Sequence, residues 1–196
     1  MLKLEWRNKK SFDRFADAVE VLGEKKGAGV KRRALNRAGD QARTAAGREL
    51  AGQTGLKKAY TGKKLRDGTT RAKAGRLLYT IKVQGGDVPL KYFDAKETRK
   101  GVSAKPFGKR QVFEHSFIKG GLFPRRKVLN MGGHVFEAAT DIGAWGRPFE
   151  KKKSGVVLPT ELVKGATAAA WEKVGTRVLQ ERIAHEIKRA TGGVVS

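Results

Sequence analysis

The 196-residue chain has no cysteine and few long uncharged stretches. Without cysteine it can have no disulfide framework, thiolate zinc site or cysteine nucleophile. The stretch from Val128 to Phe136 carries no formal charge, but it is far shorter than the roughly 20 apolar residues of a membrane span, so no membrane contact is predicted. Lys3, Glu5 and Arg7 charge the opening residues, which predicts that no secretory signal is present. These absences favour a soluble, basic protein used inside a cell.

Negative charge is also scarce, because 19 Asp and Glu stand against 43 Lys and Arg and leave a formal net charge of +24. Residues 25–76 hold 16 basic and 3 acidic residues, a local net of +13, and residues 99–153 hold 13 and 4. This blocked distribution indicates a face or arm that meets a polyanion. A solvated surface that keeps the protein soluble is the alternative interpretation. Composition does not distinguish nucleic acid from an acidic protein as the partner.

Two helices are predicted near the start of the chain. Ser11 can cap the first, whose apolar residues recur at helical spacing from Phe12 to Leu22 and which ends at Gly23. The second is predicted from Val30 to Leu50 and has an inner side composed mainly of alanine, which favours close packing against a neighbour. Its other face is basic and carries Lys31, Arg32, Arg33, Arg37, Arg43 and Arg48.

Residues 52–76 are rich in Gly, Lys, Thr and Arg and contain few apolar anchors. They predict an extended basic arm with at most one helical turn. The candidate polyanion- or partner-binding residues lie on this arm and on the helix before it: Lys31, Arg32, Arg33, Arg37, Lys57, Lys58, Lys63, Lys64, Arg66, Arg71 and Lys73.

The β-rich part of the chain is predicted over residues 77–158. Strand-like runs cover residues 77–83, 88–93, 101–104, 112–118 and 133–138, and Gly85-Gly86 between the first two runs indicates a hairpin. A last helix is predicted over residues 159–191, with Thr160 as its cap and an apolar band that lies across the sheet. The whole pattern predicts one α+β domain over residues 1–196, with N-terminal helices, an antiparallel sheet of short strands and a long C-terminal helix packed on the sheet.

No catalytic or metal-binding pattern is found in the sequence. His115, His134 and His185 are isolated, so no histidine ligand pair is predicted. The carboxylates Glu114, Glu137, Asp141 and Glu150 could converge as in a metal-dependent nuclease, but salt bridges are the usual role of such residues. Six phenylalanines lie in or near basic stretches and could stack on bases, although core positions are favoured for them: Phe93, Phe107, Phe113, Phe117, Phe123 and Phe136.

Several stretches, taken in order, resemble the minor tail protein Z family of long-tailed bacteriophages and prophages. They begin with Ala34-Leu35-Asn36-Arg37-Ala38 in the alanine-rich helix, and the resemblance extends from about Leu22 to Arg189. The later ones are Ile81-Lys82-Val83, Gly86-Asp87-Val88-Pro89-Leu90, His134-Val135-Phe136, Arg147-Pro148-Phe149 and Val157-Leu158-Pro159. Lys105-Pro106-Phe107 and Gln111-Val112-Phe113 also resemble segments of related tail-completion proteins.

The resemblance implies a structural protein of tail assembly or completion that acts near the head-proximal end of the tail. It implies no catalytic site and no cofactor, and therefore no enzyme. The expected partners are other phage tail or neck proteins, further copies in a homo-oligomeric ring, with six subunits as the expected number, and DNA through non-specific contact. The expected locations are the virion tail and, during assembly, the host bacterial cytoplasm. A stand-alone basic nucleic-acid-binding protein is the alternative function, and a small nuclease is a third.

Overall fold

The computed structural model describes residues 1–5, 23–121, 124–138 and 149–190. The helix predicted over residues 12–22 lies outside these ranges. The described helices are α1 (Glu24–Thr54), α2 (Lys58–Asp67), α3 (Leu158–Leu162) and α4 (Gly165–Ala190). Within the same ranges, single 3₁₀ turns lie at Leu90–Tyr92 and Pro106–Gly108.

Short strands fill most of the chain between α2 and α3. The described strands are β1 (Leu2–Glu5), β2 (Thr69–Thr70), β3 (Leu78–Ile81), β4 (Asp87–Pro89), β5 (Lys96–Glu97), β6 (Gly101–Ala104), β7 (Gln111–Glu114), β8 (Ser116–Phe117), β9 (Lys119–Gly120), β10 (Lys127–Val128), β11 (Phe136–Ala138), β12 (Phe149–Lys151) and β13 (Lys153–Val157). They form small antiparallel sheets with the orders β1-β3-β2, β10-β9, β12-β11-β8, β13-β4 and β5-β6-β7. The predicted α+β class is confirmed.

The centre of the fold is the contact between α1 and α4. Ala34, Ala38, Ala42 and Ala46 on α1 are completely buried. Gly175 of α4 faces this row, since a Cβ placed there would lie 3.6 Å from the Cβ of Ala42. Small side chains let two helix backbones approach closely, so the predicted role of the alanine side is confirmed.

The last helix differs in two ways from the prediction over residues 159–191. It is divided into α3 and α4, with Gly165 at φ +62°, a backbone angle that favours glycine. It also packs mainly on α1 and meets a sheet chiefly at β1, where the indole Nε1 of buried Trp171 donates to the carbonyl of Lys3 at 3.3 Å. The apolar band of α4 therefore packs mainly against the alanine row of α1 and only to a smaller extent against the sheet.

The predicted extended arm over residues 52–76 is wrong. α1 continues to Thr54 and ends at Gly55, and α2 then forms nearly three turns. Leu56 and Leu65 are buried, and the buried Thr61 hydroxyl donates to the carbonyl of Gly47 at 3.0 Å. A few apolar side chains are enough to hold α2 in place because this helix lies directly against α1. The two helices are so close at Gly47 that a Cβ added there would lie 3.3 Å from Leu65.

Several of the predicted strand features also need correction. The run predicted over residues 88–93 ends as a strand at Pro89, because Leu90–Tyr92 form a 3₁₀ turn. Gly85 and Gly86 do not close a hairpin, because β3 pairs with β1 and β2 whereas β4 pairs with β13. The run predicted over residues 112–118 is broken at His115, whose φ of +57° separates β7 from β8. The failed hairpin concerns pairing partners, which strand periodicity does not specify.

Gln53 and Glu161 connect the end of α1 to α3. The Gln53 amide donates to the Glu161 carboxylate at 2.6 Å and to its carbonyl at 3.2 Å, and Lys164 forms an ion pair with the same carboxylate at 2.7 Å. Burial of Glu161 raises its pKa, but the hydrogen bonds from Lys164 and Gln53 outweigh that effect, and the net pKa is lowered.

This lowered pKa predicts an acid-dependent loss of stability. Because the unfolded chain binds a proton on Glu161 more readily than the folded protein, the stability contributed by Glu161 is present above the unfolded pKa and lost as pH falls through the folded pKa. We expect Glu161→Gln to lower the free energy of unfolding at pH 7 by about 1–3 kcal/mol. Urea titrations from pH 7 to 3 should show the difference from the unsubstituted protein shrinking toward acid. A difference that stays constant with pH would contradict this role.

In the described part of the chain, no helix has the length and apolar character that crossing a membrane requires.

Candidate polyanion-binding surface

One side of α1 carries a row of cations that we call the basic strip: Arg32, Arg33, Arg37, Arg43 and Arg48. From Arg32 to Arg48 the strip extends roughly 24 Å at 1.5 Å per residue. It is opposite the buried alanine row, and Arg32, Arg37 and Arg48 are exposed. Arg33 instead forms an ion pair with Glu186 of α4 at 2.6 Å. The helical period predicted this division of faces.

A wide groove opens at the first half of the strip. Its volume is about 820 Å³, and α1, the segment after β2 and the end of α4 all contribute to its walls. It brings together five of the predicted cations: Arg32, Arg33, Arg37, Arg71 and Lys73. Arg182 of α4 is a sixth cation, which was not among the predicted site residues because no sequence pattern places it beside α1. Asp40 and Glu186 also line the groove, so six cations against two carboxylates leave a formal charge of +4.

Asp40 holds part of the groove in place. Its carboxylate accepts a hydrogen bond from the Tyr79 hydroxyl at 2.8 Å, forms an ion pair with Arg71 and lies 3.4 Å from Arg43. Burial raises the pKa of Tyr79 well above its ordinary value, and the hydrogen bond to Asp40 raises it further, so the phenol stays a donor. Asp40 therefore links the core to Arg71.

Asn36 fixes the segment that carries Arg71 and Lys73. Its amide nitrogen donates to the Ala72 carbonyl at 3.1 Å, and its amide oxygen accepts from the Ala72 N–H at 2.8 Å. Both backbone groups of a buried residue are thereby satisfied by one side chain. The two neighbouring cations are exposed and face the groove.

A narrower cleft lies at the second half of the strip, between α1 and α2. Its volume is about 290 Å³ and four cations line it, namely Arg43, Arg48, Lys58 and Arg66. Lys58 and Arg66 are predicted site residues, whereas Arg43 and Arg48 were assigned only to the basic face of α1. None of the residues lining the cleft is acidic.

The remaining predicted cations line neither concavity. Lys31 and Lys57 lie outside both. Lys63 forms an exposed ion pair with Asp67 at 2.9 Å, and the ammonium of Lys64 lies 5.9 Å from the centre of the Tyr60 ring. With these contacts, Lys63 and Lys64 are ordinary surface residues of α2.

A third basic concavity, which we call the Phe149 cavity, lies away from α1. It has a volume of about 420 Å³ and combines Phe117 and Phe149 with the cations Arg99, Lys100, Lys119 and Arg126. Phe149 is 56% exposed and meets Phe117 edge-on, with the ring centres 5.1 Å apart.

The core interpretation of the phenylalanines holds for part of the set. Phe93 and Phe136 are buried, and Phe113 is half-buried and packed against the core. Phe117 is half-buried in the wall of the Phe149 cavity, Phe107 is exposed, and Phe123 lies outside the described residues.

The candidate nuclease residues are partly brought together. Glu137 and Glu150 are cross-strand partners in β11 and β12, and Glu137 forms an ion pair with Lys152. Glu114 lies in β7 and pairs with Gly101, and Asp141 lies outside the described residues. Burial lowers the pKa of His134, and Lys91 and Lys151 lower it further. Across the described ranges, no three or more His, Asp or Glu side chains group closely enough to hold a metal ion.

Comparison of the chain with known protein families, with curated proteins and with solved structures found no match.

Proposed function

We propose that the protein is a structural component of phage tail assembly or completion that uses its basic strip to contact DNA or an acidic neighbouring protein. The observation that carries the proposal is the strip itself, with its groove and cleft. The groove retains a formal charge of +4 after its two carboxylates are counted, and the cleft adds cations without an acid. The collinear resemblance to minor tail protein Z supports the setting at the head-proximal end of the tail.

A ring of such subunits needs counter-charge. A hexamer would carry a formal charge of +144, six times the +24 of one chain. Salt at physiological strength screens charges only beyond about 8 Å, so close subunits repel unless an anion lies between them. DNA in the tail channel or an acidic ring below it would supply that anion. Contacts of this kind, rather than a chemical reaction, are the proposed activity.

Deletion of the gene from the phage that carries it tests the proposal. We expect particles with incomplete or unjoined tails and a loss of infectivity, because a ring subunit would be missing. Electron microscopy of the lysate and plaque counts measure both effects.

Supplying the unsubstituted gene from a plasmid is the control and should restore infectivity. Normal, infectious tails without the protein would contradict the proposal. A gene neighbourhood without other tail proteins would count against it before any deletion is made.

A stand-alone nucleic-acid-binding protein is the second candidate, and the Phe149 cavity favours it. An exposed aromatic ring beside several cations is the combination on which unpaired bases stack while phosphates are neutralised. This function requires submicromolar binding to free DNA or RNA that weakens steeply with salt. Undetectable binding at physiological salt would exclude it and leave the tail proposal intact.

A further inference from the structure

The cleft between α1 and α2 combines concentrated positive charge with open space. Three arginines and a lysine line it. Arg43 lies 3.4 Å from Asp40, whereas Arg48, Lys58 and Arg66 form no ion pair within the described residues. Its volume of about 290 Å³ is near the lower limit of small-molecule pockets, about 300–1,000 Å³. A small group with several negative oxygens would fit these walls better than a large cofactor.

The helix pair builds this space with glycine. Gly47 of α1 and Gly62 of α2 both line the cleft, and a Cβ on Gly62 would meet nothing within 4 Å. Thr61 fixes the helix crossing through its hydrogen bond to the Gly47 carbonyl, so the cleft does not depend on loop conformation. The opening at Gly62 is therefore a fixed feature of the surface.

Arginine favours phosphate over a single carboxylate in such a place. Its planar guanidinium presents a fork of N–H donors that matches two phosphate oxygens at once. Three guanidinium groups around one cleft supply more donors than one carboxylate accepts. The cleft also lies on the same face of α1 as the groove, so an extended chain of phosphates lying along the strip would pass over both.

We infer that this cleft binds a backbone phosphate of nucleic acid. The inference rests on the proposed contact between the basic strip and a polyanion. It specifies that the anion bound in the cleft is a phosphate of nucleic acid. Free phosphate shares the same chemistry, and the experiment must distinguish the two sources.

Gly62→Leu is the decisive substitution, since it fills the cleft and leaves every charge in place. Leucine is a good helix former, so α2 should fold at least as well as before. Gly52→Leu is the matched control, because Gly52 is an exposed glycine of α1 with open space around it that does not line the cleft. Circular dichroism and thermal unfolding establish that both variants fold.

Fluorescence anisotropy with a labelled DNA duplex in about 0.15 M salt gives the main readout. We expect Gly62→Leu to weaken binding about fivefold and to reduce the slope of log K against log salt by about 0.9, the effect of one lost phosphate contact. Gly52→Leu should bind as the unsubstituted protein does. Equal binding by the two variants, or no measurable binding of the duplex by the unsubstituted protein, would overturn the inference. The proposed function would survive either result, because the groove cations also suit an acidic neighbouring protein.

Inorganic pyrophosphate distinguishes the source. If the cleft takes a backbone phosphate, millimolar pyrophosphate should compete with DNA in the unsubstituted protein and compete less in the Gly62→Leu variant. If pyrophosphate raises the unfolding temperature of the unsubstituted protein alone, while DNA affinity is unchanged by Gly62→Leu, the ligand is free phosphate and the nucleic-acid assignment is wrong. The double variant Arg48→Gln, Arg66→Gln is a second test, because it removes two phosphate-binding charges without filling the cleft. It should also weaken DNA binding.

Discussion

Gly39→Ala is expected to destabilise the protein by about 2–4 kcal/mol, although alanine is the better helix former by about 1 kcal/mol. A Cβ on Gly39 would lie 2.5 Å from ring atoms of Tyr79, and real side chains do not approach so closely. Tyr79 is completely buried and its hydroxyl is bonded to Asp40, so the ring cannot move without breaking that hydrogen bond. Urea unfolding followed by circular dichroism measures the change in the free energy of unfolding.

Gly52→Ala is the control for helix propensity. Gly52 also lies in α1, but a Cβ there would meet nothing within 4 Å. This variant should be more stable than the unsubstituted protein by about 0.5–1 kcal/mol. Equal stability of the Gly39→Ala and Gly52→Ala variants would mean that Tyr79 does not pack on α1 as described.

Removal of three groove cations should weaken DNA binding about a hundredfold in 0.15 M salt, with a slope of log K against log salt shallower by about 2.7. The variant is Arg32→Ala, Arg37→Ala and Lys73→Ala. None of these three residues forms an ion pair in the described part of the chain, so stability should change by less than about 0.5 kcal/mol per site. Anisotropy titrations at several salt concentrations measure both the DNA affinity and its salt dependence.

A charge-matched control separates the groove from net charge. Lys173, Arg177 and Lys188 are exposed on α4, and replacing all three with alanine gives the same formal net charge of +21, three less than +24. We expect this variant to lose far less affinity than the groove variant. Equal losses would show that total charge, rather than the basic strip, determines binding. In the phage, the groove variant should also fail to replace the deleted gene.

Periodicity predicted the features that depend on one helix at a time. The alanine side and the basic side of α1 follow directly from the 3.6-residue repeat, and both Ala42 and Arg37 lie where that repeat places them. The helix over most of residues 159–191 was predicted for the same reason, and the short-strand region was predicted from strand-like runs and glycine turns. These features are local, so sequence alone determines them.

Pairing between distant segments was not predictable in this way. Arg182 reaches the groove only because α4 packs along α1, and β4 joins β13 rather than its sequence neighbour β3. α2 was missed because its stability comes from contact with Gly47 and not from its own composition. Asn36 gives no sequence sign that it holds Ala72, since an asparagine on a helix surface is ordinarily solvated.

The pairing of α1 with α4 also has a consequence for biosynthesis. Residues near the start of the described chain have their partner more than a hundred positions later, so the apolar side of α1 stays uncovered on the ribosome until α4 has emerged. Contacts between residues so far apart in sequence slow folding, and apolar surface stays exposed to other chains until folding is complete. A premature stop before α4 would therefore release a product prone to aggregation, and a long pause there would prolong the exposure of α1.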